Sequence, residues 1–366
     1  MAEPFKNLVS PASVQQLSDA LSAVYPDFAS ERFRASATDG LIALELKARV
    51  AHVADALRAE LPDAWPKALG LLIAALPEAL PDDTGVTGLA WLWPMLRAVE
   101  VHGIDHPEPS LDALRLMTQR FSAEFALRPY LIAHPQLAWE RLGAWATDPD
   151  LHVRRLVSEG SRPRLPWGQQ LRASVDDPTL GLALLDRLVD DTSAYVRRSV
   201  ANHLNDVCRD HPDRALATAT AWLAHPSPRR REVVTRGLRT LVKAGRPEAM
   251  ALLGLGAAQL AVHSLAADPP TVRLGDRTPL RATLSAHADQ EWLVDWLIRS
   301  PRANGTLSQR VMRGCRRQVR AGERVELAHT LSLKPVTTRV TRPGRWRVLL
   351  QVNGTVVGEL SIDVFE

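Results

Sequence analysis

Apolar side chains recur at helical spacing through about the first 260 residues. Leu41, Leu44, Leu46, Val50, Val53 and Leu57 form one series, and Leu111, Leu114, Leu116, Met117, Phe121 and Phe125 another. This is the i, i+3, i+4 signature of helices with one buried face. Prolines at 62, 66, 77, 81, 94, 129, 135, 149, 163, 166, 178, 212, 226, 228 and 247 fall mostly between such series, where a missing N–H costs little. The pattern predicts an all-α first domain.

Three stretches within it resemble one another. PQLAWERLGAWATDPDLHVRRLVSEG begins at Pro135, PTLGLALLDRLVDDTSAYVRRSVANHLNDV at Pro178 and PDRALATATAWLAHPSPRRREVVTRGLRTLV at Pro212. Each reads as helix, polar turn, helix. Aligning Val157, Val200 and Val234 gives spacings of 43 and 34, which bracket the period of two-helix solenoid repeats of the HEAT type. Each second helix opens on cations: Arg154 and Arg155, Arg197 and Arg198, then Arg229, Arg230 and Arg231. Stacked repeats place equivalent positions side by side, so these clusters are expected to line a phosphate-binding groove near helix N-termini. The plainer reading is a solvated helix face on which each pair meets Asp148, Asp150, Asp190 or Asp191.

After about Asp268 the period shortens. TVRLG, PLRATLSAHA, RVELAHTLSL, WRVLLQVNG and TVVGELSIDVF alternate and carry β-branched residues, and Asn353-Gly354 between two such runs signals a hairpin. An immunoglobulin-like sandwich is expected, without the paired cysteines of antibody domains. The predicted fold is therefore mostly α: a HEAT-like helical-repeat solenoid over 1–267, followed by an all-β immunoglobulin-like sandwich over 268–366.

Charge changes this picture by giving it a direction. Residues 1–110 carry eight Lys and Arg against fifteen Asp and Glu, residues 111–269 carry 21 against 17, and residues 270–366 carry 16 against nine. Only five of the 45 cations are lysine, a ratio that a high-GC genome explains in part, but codon bias does not explain the gradient. A polyanionic partner fits a basic C-terminal two thirds, and Arg313, Arg316 and Arg317 are expected to let the sandwich touch it too. No run of about 18 uncharged apolar residues appears and the opening MAEPFKNLVS lacks a secretory layout, so the expectation is a monomer in the bacterial cytoplasm, associated with the nucleoid, with no membrane and no obligate protein partner. Cys208 and Cys315 form no CxxC pair, and neither a metal nor a cofactor is expected.

The familiar catalytic signatures HExxH, P-loop, G-x-S-x-G and the zinc-deaminase pattern are missing. What stands out is acid placed against the pattern: Glu124 between Phe121 and Phe125, Glu159 at the end of a helix whose Val153, Leu156 and Val157 face the core, and Asp206 at a comparable point of the next repeat. Taken singly, each reads as a helix-end acid paired with Arg128, Arg162 or Arg209. Taken together, three acids from consecutive repeats facing a basic groove need another reason, because carboxylates repel phosphate. Loss of a cationic alkylated base supplies one: carboxylates stabilise an oxocarbenium-like sugar and orient water. Trp167 would hold a cationic base or sugar edge by cation–π contact, unless it is a core anchor. None of the five lysines lies in this stretch, so no Schiff-base lyase step is expected.

Here the chain resembles the AlkC branch of the AlkC/AlkD family of HEAT-like-repeat DNA glycosylases. The resemblance rests on GLIALELKARVAHVADAL from Gly40, FSAEFALRPYL, LHVRRLVSEGSRPRLPWG, YVRRSVANHLNDV and LVDWLIRSPRANGTLSQRVMRG, and covers nearly the whole chain. It implies removal of cationic N3-alkylated bases, N3-methyladenine and N3-methylcytosine, from double-stranded DNA without a metal and without extruding the base. It also implies that Glu124, Glu159 and Asp206 are the acidic active-site positions and Trp167 the aromatic one, with Arg162 and Arg164 joining the other arginines on DNA. Two other readings remain: a non-catalytic scaffold for damaged DNA, and a protein-protein adaptor, against which the charge gradient counts.

Overall fold

The computed structural model describes residues 4–83, 86–334 and 340–366, the side chains of 86–88 aside. Contacts divide the chain into two units, Met1–Gly237 and Leu238–Glu366.

The first unit is helical. Several helices carry proline in their first turn, among them Pro11–Val24, Trp65–Ala74, Trp93–His102, Pro107–Thr118, Arg128–Ala133, Pro135–Trp145 and Pro212–Ala224, where the fixed φ suits a helix start and no hydrogen bond is lost. Of the fifteen prolines placed between helical series, seven thus begin a helix: Pro66, Pro94, Pro129, Pro135, Pro212, Pro228 and Pro247. In the three repeats the first helices are Pro135–Trp145, Thr179–Leu188 and Pro212–Ala224, and the second are Leu151–Gly160, Ala194–Asp210 and Pro228–Gly237. A side-chain cap starts each second helix. Asp150 accepts from the His152 and Val153 amides, Ser193 from Val196 and Ser227 from Arg230. Caps at 150, 193 and 227 reproduce the 43 and 34 spacings. Seven residues beyond each cap, Val157, Val200 and Val234 are fully buried, so the register rests on one aliphatic seam.

The second unit opens with two short helices, Arg239–Lys243 and Pro247–Leu252, and continues as β1 (Leu260–Ala267), β2 (Thr271–Arg273), β3 (Arg277–Ala286), β4 (Gln290–Pro301), β5 (Leu307–Val319), β6 (Arg324–Ser332), β7 (Gly344–Val352) and β8 (Thr355–Phe365). One sheet has the order β1-β3-β6 and the other β2-β8-β7-β4-β5, with β2 parallel to β8. Trp292, Trp296 and Trp346 fill the space between them with Leu280, Leu284, Ile298 and Leu331. The Asn353-Gly354 turn joins β7 to β8 with φ of 46° and 81°, the positive values a tight hairpin requires. Gly354 also lies against Gly245: a Cβ there would stand 2.8 Å from the Gly245 carbonyl oxygen.

This division differs from the expected boundary at 267/268. β1 already belongs to the sandwich, paired with β3 from Leu260 opposite Ala286 to Ala267 opposite Leu280. Its sequence, LAVHSLAA, has small residues and no clean inside-outside alternation, so it carries little of the period-two signal that marks the later strands.

Candidate active site

The three acids meet around two arginines. Arg155 and Glu159 lie one turn apart on Leu151–Gly160, Arg162 follows in the loop, Asp206 comes from the next repeat's helix and Glu124 from the turn before Arg128–Ala133. Arg155 Nη1 donates to Glu124 Oε2 at 2.5 Å and Nη2 stands 3.8 Å from Glu159 Oε2. Arg162 Nη1 donates to Glu159 Oε1 at 2.6 Å, and its Nε and Nη2 grip Asp206 at 2.7 and 3.1 Å. The result is an alternating row, Glu124, Arg155, Glu159, Arg162, Asp206, whose formal charge is one negative. Glu159, Arg162 and Asp206 are 6–7% exposed. Charges this deep survive only where each is paired and hydrogen-bonded.

Burial works to raise the Glu159 carboxyl, but the guanidiniums of Arg155 and Arg162 and the Ser199 hydroxyl outweigh it and hold the group below the usual carboxylate range. Glu159 is therefore a carboxylate at neutral pH. Arg162 is likewise held above its ordinary value, its acid partners overcoming burial.

A second device shapes the loop from Ser161 to Gln170. The Arg128 guanidinium is fully buried and donates to the carbonyls of Gly160 and Arg162, both at 2.8 Å, and to that of Gln169. Burial, with Arg162 nearby, lowers its pKa to about 10. Within the loop Trp167 has a φ of 63°, a left-handed conformation that a bulky side chain rarely adopts, and Lys47 donates to its carbonyl. Trp167 is not a core anchor: its side chain is 63% exposed and meets Phe5 edge-on at 6.3 Å.

Acids and aromatics share one cleft of about 340 Å³, lined by Glu124, Glu159, Arg162, Trp167, Phe5, Leu46 and the group Trp93, Phe121 and Phe125, among others. Trp93 stacks on Phe125 at 5.7 Å with an interplanar angle of 10°. Asp206 stands behind the wall, joined through Arg162. Such a cleft offers negative charge and π faces to a cation and excludes bulk water from one side.

The expected basic groove divides into parts with different tasks. Arg155 and Arg162, with side chains 15% and 8% exposed, are counter-ions turned to the acids and not exposed phosphate ligands. Arg154 bonds Asp191 at 2.6 Å and the carbonyls of Asp148 and Pro149. Arg197 bonds Glu232 and the carbonyls of Asp191 and Thr192, and Arg230 bonds Asp190. These three brace neighbouring repeats, close to the plainer reading. Arg164 grips Asp210 with two bonds. Arg198, Arg229 and Arg231 are exposed, Arg229 with a bond to the Asp190 carbonyl at 3.2 Å. In the sandwich, Arg313 stands against Asp295, Arg316 against Glu291 and Arg317 against Glu323, each still about two-fifths exposed or more.

Sequence reasoning missed Lys47 and Ser199, and it offered Arg128 as the partner of an acid, whereas Arg128 bonds backbone carbonyls. Lys47 comes from outside the stretch that lacks lysine: it arrives from the helix Leu46–Ala59, and its ammonium sits 5.5 Å above the ring of Phe125, one of the side chains lining the cleft. The amphipathic period places such a residue on a helix but not against a loop 120 residues away. Among the described residues no group of three His, Cys, Asp or Glu side chains is placed to hold a metal ion, and no helix is long and apolar enough to cross a membrane.

Residues 261–366 match the family described as "Uncharacterised protein YhaZ, C-terminal Ig-like domain". Over 361 residues the chain is 32% identical to the protein YhaZ of Bacillus subtilis, covering 98% of this chain and 99% of that one. It is similar, with a TM-score of 0.89 and 34% identity over the full length of both chains, to the Pseudomonas fluorescens alkylpurine DNA glycosylase AlkC bound to DNA containing an abasic site analogue. The chain belongs to the AlkC branch of the AlkC/AlkD family. In this AlkC-family chain the stretches SEGSRPRLPWG and FSAEF both line the acid cleft, and VRRSVANHLND supplies Ser199 and Asp206, which bond Glu159 and Arg162.

Proposed function

We propose that this chain is a monofunctional DNA glycosylase that removes cationic N3-alkylated bases, N3-methyladenine and N3-methylcytosine, from double-stranded DNA. The observation that carries this reading is the cleft in which Glu124 and Glu159 face Trp167 from a row of charges that is negative overall. An alkylated base leaves as a neutral molecule and strands positive charge on its sugar. Glu124 and Glu159 stabilise that charge and hold the attacking water, Asp206 fixes Arg162 and through it Glu159, and Trp167 offers its exposed face to the cation. The AlkC of Pseudomonas fluorescens, bound to DNA containing an abasic site analogue, supports DNA as the partner. Exposed Arg198, Arg229 and Arg231, and in the sandwich Arg313, Arg316 and Arg317, are the proposed phosphate contacts. The shallow, open position of Trp167 favours approach to the lesion without extruding the base. Hydrolysis and not a lyase step is proposed, because the Lys47 ammonium is engaged by the Trp167 carbonyl.

Chromatography of bases released from methylated DNA tests the reading. Wild type releases N3-methyladenine, whereas Glu159→Gln and Asp206→Asn bind an abasic-analogue duplex as wild type does and release base at least about a hundredfold more slowly. Borohydride traps no enzyme–DNA adduct. Full activity in both variants defeats the site assignment, and a wild type without base release defeats the function.

A further inference from the structure

The common register of the three second helices exposes one position that breaks the repeat. Six residues beyond the caps stand Leu156, Ser199 and Val233, which are 0, 2 and 1% exposed. The packing asks for an aliphatic side chain there, and the middle repeat supplies a hydroxyl. That hydroxyl is aimed at the acid row: Ser199 Oγ donates to Glu159 Oε2 at 2.6 Å, and Ser158 Oγ donates to Ser199 Oγ at 2.6 Å. A serine hydroxyl has one hydrogen, so with Ser158 filling an acceptor site the Ser199 proton is committed to Glu159. The longer alternative for Ser158 is the Arg155 carbonyl at 3.1 Å. Fully buried His203 presents Nδ1 to the Ser158 carbonyl at 2.9 Å and fixes that side of the relay.

We propose that Ser199, oriented by Ser158, is a positioning residue for base release, holding the Glu159 carboxylate square to Arg162 and to the cleft. The proposal rests on the glycosylase reading. Arg162 takes Oε1 and Arg155 is 3.8 Å from Oε2, so without Ser199 one carboxylate oxygen has only the longer contact to hold it. A donor to the carboxylate also favours its charged form, and the Ser199 bond is among the causes that keep Glu159 ionised.

The test uses the full chain with Ser199→Val, the side chain type of the third repeat, and Ser199→Thr, which keeps the hydroxyl. Expected for Ser199→Val are a folded chain with a Tm close to wild type, the aliphatic packing offsetting much of the lost hydrogen bond, duplex binding equal to wild type, and single-turnover release of N3-methyladenine about tenfold or more slower. The acid limb of its rate–pH profile moves to higher pH. Ser199→Thr restores most of the rate and the wild-type limb. If Ser199→Val lowers the Tm, Ser158→Ala carries the test with the same displacement of the acid limb. A wild-type rate and profile in Ser199→Val, or an unchanged profile in Ser158→Ala, overturns the proposal while wild-type release continues; absence of release by the wild type itself overturns the underlying function instead.

Discussion

Glu159 in the helical unit and Asp295 in the sandwich are both buried, 6% and 0% exposed, yet their surroundings treat them in opposite ways. Glu159 has two cations whose side chains are only 15% and 8% exposed, and its carboxyl is held low despite burial. Asp295 has Arg313, whose side chain is 45% exposed and whose Nε comes within 2.7 Å of Oδ1 without hydrogen-bond geometry. Burial prevails there and pushes the carboxyl up, against Arg313 and Lys243. Depth alone thus does not make a working carboxylate. What does is a cation that shares the depth and bonds the acid directly.

The sharpest way to break this contrast is Arg162→Leu, which leaves Glu159 and Asp206 buried without their shared partner. Loss of about 3–5 kcal/mol is expected in denaturant unfolding, with base release abolished; a stable, active variant would show that Arg162 is dispensable to the acids. Acid titration separates the units next. The depressed Glu159 contributes stability above its unfolded pKa and loses it as pH falls through the folded value. His203 acts earlier: burial lowers it from 6.5 to about 4, so below pH 6.5 the unfolded chain takes up a proton that the folded chain refuses. At about 1.4 kcal/mol per unit, the loss between pH 6.5 and about 4 approaches 3 kcal/mol. Asp295 has the reverse sign, since its raised pKa is a penalty that protonation relieves. Hydrogen exchange at pH 7 and pH 5 is expected to show protection falling in the helix Ala194–Asp210 and not in β4. The smallest effect belongs to Asp295→Asn, for which Tm at pH 7 changes by no more than the equivalent of about 1 kcal/mol, in the stabilising direction if at all. A fall of many degrees would mean that Asp295 is held by more than burial and one half-exposed arginine.

Much of this was legible in the chain. The helical series, the repeat spacing and the Asn353-Gly354 hairpin depend on local periods and turn chemistry, and the structure has them in place. Glu124, Glu159 and Asp206 stood out because they violate an apolar period, and they converge because repeats stack. Less legible was what pairs with what. Arg154 and Arg155 are adjacent in sequence, but one braces Asp191 and the other turns inward to Glu124, a choice made by the 100° step between neighbours on a helix. Ser199 carried a signal, a polar residue between Leu156 and Val233 in the register that Val157, Val200 and Val234 set, but the sequence does not show that it faces Glu159. Lys47 carried none, and Arg128 was legible only as a partner for an acid, because their actual partners are carbonyls far along the chain.

Arg128 grips its loop by backbone oxygens alone, and a carbonyl is the same whichever residue bears it. The span from Gly160 to Gln169 therefore keeps its course whichever side chains stand at the exposed positions of Pro166 and Gln169. Variation along this rim alters what the cleft admits without loosening the acids beneath it, so the preferences of such a protein can drift in evolution while its scaffold stays the same.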